Sequence, residues 1–398
     1  MSILAGSVAG YLQNASWIRR MFEAGGQLKA RYGADKVYDF SIGNPDLPPP
    51  PAVAEGLRTF ARHAGEPFAF GYMPNGGFPW AREKLAAHLS GEQGVSLDAG
   101  HVLLSCGAAG GFNAFLRAIL NPGEEVLTFA PYFVEYGFYV VNHGGVFRTV
   151  MSHPDTFEPD LEALEKNIGA ATRVVLYNSP HNPTGVIYSR DTVARLAALL
   201  ERKSREFGKP IWLVADEPYR FLAYDGAEVP SVLGAYPYGV AVSSFSKSMS
   251  LPGERIGYVV ISPLLAKAEQ EELMAALTLT NRILGFVNPP VVGQHIMVAA
   301  LGSQVDLSIY AARRKAMAEV LDAGGYDYVM PRGAFYFFPK APGGDDVRFV
   351  NELLKERVLA VPGSGFGCPG YFRLAFCVNE TVIRNAAEGF AKARKVFS

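Results

Sequence analysis

At 398 residues and 43.1 kDa, with 49% hydrophobic and 19% charged residues, the chain has the composition of a globular protein and the length for two to three lobes around a large buried core. Thirty-seven basic residues against 38 acidic ones leave a net charge of −1. That balance supplies no long-range field for nucleic acid or anionic lipid, so an anionic ligand must be caught locally.

Cys106, Cys368 and Cys377 are an odd set with no CxxC pair, which argues against a disulfide framework and a thiolate metal site. The opening MSILAGSVAGYLQNASW has no basic stretch ahead of its apolar residues. No run in the chain reaches the roughly 18 to 20 apolar residues of a membrane span. The expectation is a cytoplasmic protein with no metal, no membrane contact and no nucleic-acid partner.

In chain order, helical pieces lead into SIGNPDLPPPP (residues 41–51), whose prolines rule out a central strand or helix. HVLLS (101–105) is strand-like, GAAGG (107–111) reads as a turn, and FNAFLRAIL (112–120) has helical spacing. EVLTF (125–129), RVVLYN (173–178), IWLVADE (211–217), VAVSSFS (240–246) and RIGYVVIS (255–262) are further strands. TVARLAALLERKSREFG (192–208) and RRKAMAEVLDAGG (313–325) are amphipathic helices ending at glycine. Toward the end come a strand in GAFYFFPKA (333–341), a helix in RFVNELLKER (348–357) and a strand in GYFRLAFC (370–377).

Strands alternating with helices predict an α/β fold. A large domain at 46–295 carries a mostly parallel, doubly wound sheet. A smaller α+β domain is built from both chain ends, 1–45 and 296–398.

Ligands of open α/β sheets sit beyond the carboxyl ends of the strands, so the residues following each strand carry the expected chemistry. GAAGG opens a helix with small residues whose amides can approach a phosphate, or it is simply a tight strand-to-helix turn. Ser244, Ser246 and Arg255 add hydroxyl donors and a guanidinium fork suited to the same phosphate. Asp216 closes an apolar strand, where a carboxylate is costly unless paired. It is either a helix N-cap before Pro218 or the partner of a protonated nitrogen heterocycle. Tyr219 and Asn182 can donate to an anionic ring oxygen, although HNPTG alone also reads as a proline turn. Lys247, among short serines and near Arg255, is placed for a depressed pKa and a nucleophilic amine able to hold an aldehyde. An aldehyde, a ring oxygen, a pyridinium and a phosphate together describe pyridoxal 5'-phosphate.

HNPTG, DEPYR and SxSK followed by LPGERIGY stand in one order over nearly the whole chain. In this the sequence resembles the class I/II aminotransferases, pyridoxal-phosphate enzymes of fold type I. The resemblance implies that Lys247 binds the cofactor aldehyde and moves the substrate proton, that Asp216 meets the ring nitrogen, and that Asn182 and Tyr219 hold the ring oxygen. It implies that Phe133 stacks on the ring, and that Gly107, Ala108, Ala109, Ser244, Ser246 and Arg255 surround the phosphate. Tyr72 would reach the phosphate of a neighbouring subunit, implying a homodimer with shared sites. Arg373 would clamp the substrate α-carboxylate, with Gly43 and Asn182 beside it.

The implied reaction is ping-pong exchange of an amino group between an L-amino acid and a 2-oxo acid, 2-oxoglutarate by family habit. The alternatives are a C–S β-lyase or a decarboxylase on the same scaffold, and, further off, a Ser-x-x-Lys acyl enzyme or a non-enzymatic effector-binding module. Two positions depart from the family. Ala109 stands where many relatives have Thr or Lys, which counts against aspartate. Arg282 precedes Asn288 by six positions rather than the five expected of an arginine that grips a second carboxylate. Tyr11, Trp17, Tyr72 and Phe366 are the candidate aromatics of a substrate pocket.

Overall fold

The structure, a computed structural model, describes residues 3–13 and 17–397. Its centre is a seven-stranded sheet. In spatial order the strands are Val102–Cys106, Ile256–Ile261, Gly239–Ser244, Trp212–Asp216, Thr172–Asn178, Glu125–Ala130 and Val146–Met151. Every pairing is parallel except the two made by Ile256–Ile261. That exception follows from the connection: between Ser244 and Ile256 there is room only for two short helical turns, Phe245–Ser248 and Pro252–Glu254, and a parallel return needs a crossover of a dozen or more residues.

The central strands are buried on both faces, which is why they read as unbroken apolar runs. Alternate residues feed two cores. Leu103, Val174, Leu176, Val214, Val242 and Val259 pack with Phe115, Trp212 and Leu277 on one side. Leu104, Val175, Leu213, Ala215, Ala241 and Val260 belong to the larger core on the other. The edge strand Val146–Met151 is absent from the sequence reading because its residues are mostly exposed and include polar Arg148 and Thr149.

Helix Arg190–Phe207 has Ser189 as its N-cap, accepting from the Thr192 amide, and Gly208 as a left-handed C-cap. Helix Leu307–Ala323 is capped by Asp306. Two sequence boundaries move. The helix expected at 112 begins at Gly107, so GAAGG is its first turn rather than a separate loop. The strand expected to run to 246 ends at Ser244, whose side chain accepts from the Ser246 amide and starts the one-turn helix that carries Lys247.

Both ends of the chain meet. Tyr38–Asp39 pairs in parallel with Val358–Leu359, and Val361–Pro362, Phe372–Ala375 and Tyr336–Phe337 form a small antiparallel sheet. The helix Val291–Ala300 runs unbroken through residue 296 and packs on Pro51–His63, where Gly56 lies against Ile296 and Ala299.

Candidate active site

The parallel strands end together, and in-register pairing sets Asn178 beside Asp216 and Asp216 beside Val242 at one edge of the sheet. Arg255 arrives at the same edge because it immediately precedes an antiparallel strand. Over this edge lies a cavity of about 980 Å³ lined by Gly43, Ala108, Ala109, Phe133, Asn182, Asp216, Tyr219, Ser244, Ser246, Lys247, Arg255 and Arg373, among others. These expected residues come from segments more than 300 positions apart in the chain, and the fold brings them to one wall.

Lys247 Nζ donates to the carbonyl oxygen of Gly43 at 2.6 Å. Burial lowers its pKa to about 8, and the Arg373 and Arg255 guanidiniums push the same way. Asp216 lines the cavity at the end of its strand; no helix follows, so the N-cap alternative is not realised. Its backbone carbonyl accepts from Asn178 Nδ2 at 2.7 Å, and its carboxylate Oδ2 accepts from the Tyr136 hydroxyl at 2.5 Å. Burial pushes the Asp216 carboxyl up to about 7; the Tyr136 bond opposes the rise and Glu217 adds to it.

Arg373 is 2% exposed. One of its nitrogens donates to Asn182 Oδ1 at 3.2 Å, another to the Ser41 carbonyl at 2.5 Å, and its Nε has no partner among the described residues. The guanidinium lies over the rings of Tyr336 and Phe366 at 4.9 and 4.8 Å. Among the described residues, Arg255 donates only to the Pro252 carbonyl, at 2.8 Å. Its φ of 51° is a left-handed conformation that costs a non-glycine residue energy and is kept where the surroundings enforce it.

Among the described residues, none of Lys247, Asp216, Arg255 and Arg373 forms an ion pair. Unpaired charges of both signs in one cleft are expensive unless a ligand completes them.

The cavity fits pyridoxal phosphate on its own chemistry. No side chain caps helix Gly107–Ile119, so its first amides are left to an anion, with Ala108 and Ala109 in the wall. Gly107, at φ 71°, permits this turn: a Cβ there would stand 2.5 Å from Arg255 Nη2. A carboxylate without a cation suits a protonated ring nitrogen, and a depressed amine suits an aldehyde.

Some expectations fall elsewhere. Gly107 supports the wall without lining it, and Tyr72 (93% exposed) and Arg282 (exposed) lie outside this chain's cavity. None of Tyr11, Trp17 and Phe366 lines it: Tyr11 packs edge-on against Phe138, Trp17 against Gly365, and Phe366 beneath Arg373. Sequence reasoning missed Tyr136, Tyr139, Tyr336 and Cys377, which do line it, as does Asn178, which closes a strand whose end was expected to carry chemistry. For Tyr136 a signal existed, its place three residues after Phe133 in APYFVEY; the others hide in core-like runs. Among the described residues no cluster of three His, Cys, Asp or Glu is placed to hold a metal, and no helix is long and apolar enough to cross a membrane.

The family model for aminotransferase class I and II matches residues 35–390. The aspartate/prephenate aminotransferase of Thermus thermophilus is 32% identical over 375 residues, 91% of this chain and 92% of that protein. The aspartate aminotransferase of Thermotoga maritima is 33% identical over 376 residues, covering 91% and 93%. A crystal structure of an aminotransferase from Eubacterium rectale superposes with a TM-score of 0.95 at 37% identity, over 100% of both chains. With its sheet edge, its unpaired charges and these relatives in agreement, the chain belongs to the aminotransferase class I and II family and is a pyridoxal-phosphate-dependent transaminase.

Proposed function

We propose that this cavity carries out ping-pong transfer of an amino group from an L-amino acid to a 2-oxo acid, with 2-oxoglutarate as acceptor, and that the residues gathered here divide the work. The observation that carries the reading is the set of four charged side chains, Lys247, Asp216, Arg255 and Arg373, left without ion-pair partners around one cavity.

When bound, pyridoxal phosphate supplies an aldehyde carbon that receives the amino group and a ring that draws electrons from the substrate Cα. Lys247 Nζ, neutral in a useful fraction because its pKa is near 8, would take the proton from the substrate Cα and give it to the carbon that was the aldehyde. Asp216 holds a proton on the ring nitrogen. Asn182 and Tyr219 bind the ring oxygen, and Phe133 covers the ring face. Ser244, Ser246, Arg255 and the amides of Ala108 and Ala109 hold the phosphate. Arg373 binds the α-carboxylate, oriented by Asn182 and the Ser41 carbonyl.

Tyr72 and Arg282 are assigned to the neighbouring site of a homodimer, Tyr72 to its phosphate and Arg282 to a substrate's second carboxylate; their exposure on this chain supports that reading. Residues 1–45 and 296–398 are taken as the small lobe and 46–295 as the large one, with helix Val291–Ala300 staying against the large lobe. Three cysteines outside any disulfide support a reducing, cytoplasmic setting.

Relatives that act on aspartate and prephenate make aspartate the first donor to try. Ala109 counts against it, since it leaves that turn without a side-chain cation. The test is a single half-reaction: purified protein with each amino acid and no oxo acid. One equivalent of the matching 2-oxo acid per site is expected. Continuous release of ammonia, carbon dioxide or thiol would replace transamination by a lyase or decarboxylase reaction.

A further inference from the structure

Asp216 is the one acid in the cavity wall assigned to the cofactor ring, yet its own carboxylate is oriented by a single donor. Of its two oxygens, Oδ2 accepts the Tyr136 hydroxyl at 2.5 Å, while Oδ1 has no hydrogen-bond partner among the described residues. Tyr136 comes from helix Glu135–Asn142, an element separate from the strand that carries Asp216, and lines the same cavity. Its ring is 3% exposed and fixed edge-on against Phe112 and Phe133, with centroids 5.9 and 5.5 Å apart. A phenol so held cannot follow a rotating carboxylate. It selects one rotamer of Asp216, and a bond from a donor to an ionised acceptor is of the stronger, charge-assisted kind.

We propose that Tyr136 is a positioning residue for the cofactor ring: its hydroxyl fixes the Asp216 carboxylate by one oxygen and so presents the other, Oδ1, to the ring nitrogen. The proposal rests on the assignment of Asp216 to that nitrogen.

The electrostatics agree. Burial and Asp216 raise the Tyr136 phenol well above its ordinary range, so it keeps its proton and acts as donor. The other titratable groups that couple to Asp216 are Glu217, which raises its pKa, and the phenols of Tyr139 and Tyr219, which Asp216 raises in turn. None of these is a cation, so Tyr136 is the principal local influence favouring the ionised carboxylate.

Tyr136→Phe keeps the ring contacts and removes only the hydroxyl. In the cofactor-free protein the Asp216 carboxyl, followed by carbon NMR and assigned by its loss in Asp216→Asn, is expected to titrate about one unit higher in Tyr136→Phe. Pyridoxal phosphate titrated into the same protein at neutral pH is expected to bind about tenfold more weakly, with KM for the amino acid unchanged and kcat lowered. In an Asp216→Asn background, removing the hydroxyl is expected to change cofactor affinity less than about twofold.

An unchanged Asp216 titration with unchanged affinity in Tyr136→Phe would overturn the proposal. So would an equal loss of affinity with and without Asp216, which would make Tyr136 a packing residue. If Asp216→Asn alone left cofactor affinity unchanged, the assignment of Asp216 itself would fall, a result distinct from either of these.

Discussion

Asp216 and Glu217 are consecutive acids that the fold treats oppositely. Glu217 is 2% exposed and accepts from Arg220 at 3.2 Å and from Gln93 at 2.8 Å, away from the cavity that Asp216 lines. Burial raises the Glu217 pKa even so, while Glu217 and Glu92 hold Arg220 above its ordinary value. The 3.2 Å contact decides for an ion pair. Asp216 has one phenol and no cation.

Two lysines of the cavity wall repeat the contrast. Lys29 is tied to Asp39 at 2.8 Å, whereas Lys247 meets a backbone carbonyl and the Phe335 ring and, among the described residues, no carboxylate. Charges that the chain pairs for itself hold the fold together; the charges it leaves unpaired at the sheet edge are those proposed to meet cofactor and substrate.

The sharpest way to break this contrast is at Lys247. Lys247→Ala is expected to lower turnover by about 10⁴-fold or more with the fold intact, as stopped-flow assay of the half-reaction and circular dichroism would show. Turnover within tenfold of the parent would end the catalytic assignment.

Arg373 comes next. Replacing it by Ala should raise KM for the amino acid by roughly 100-fold or more, the size of a lost buried charge-assisted contact, while cofactor affinity stays the same. Loss of cofactor instead would place Arg373 on the wrong ligand.

The adjacent acids then separate by their readouts. Glu217→Ala leaves the buried Arg220 with only the more distant Glu92, at 3.6 Å, and is expected to cost about 3 kcal/mol of stability in urea unfolding. Asp216→Asn removes an unpaired carboxylate, so it should leave the cofactor-free protein as stable as before or more so, and weaken pyridoxal phosphate binding. If the two variants were destabilised alike, the distinction between them would fail.

The smallest effect is on pH dependence without cofactor. The folded-state pKa of Asp216 lies above its ordinary value, at about 7, so between roughly pH 4 and 7 the native state binds more protons than the unfolded one. Its contribution to stability therefore falls as pH rises through that window. Lys247 is depressed to about 8, so between about pH 8 and 10 the native state binds fewer protons, and its contribution rises with pH. Thermal melts of the stripped protein across both windows, beside Asp216→Asn, check the first sign: the gap in favour of the variant should widen from pH 4 to 7.

Much of the site was legible because its residues follow strands. Asp216 closes IWLVAD and Lys247 follows VAVSSFS, so position announced them, whereas Arg373, inside the strand of YFRLAF, was named only through the resemblance to the aminotransferases. For Tyr136 the sequence held its place, three residues after Phe133, but not its partner, which is 80 positions away. Tyr336 lies in the run AFYFFP, where an aromatic that lines a cavity looks the same as one that fills a core; its hydroxyl meets Tyr219 at 2.7 Å. The edge strand Val146–Met151 escaped notice because one solvated side leaves it neither apolar nor regularly alternating. Arg282 had a motif but no place in this chain's cavity, a fact that only the folded arrangement reports.

On this reading the cavity's unpaired amine, Lys247, and not its paired one, Lys29, takes the cofactor. Borohydride reduction of the protein loaded with pyridoxal phosphate, followed by peptide mass mapping, tests it most directly. A single pyridoxyl group on Lys247, with Lys29 unmodified, is the predicted result. A group on Lys29, or none retained on either lysine, would contradict it.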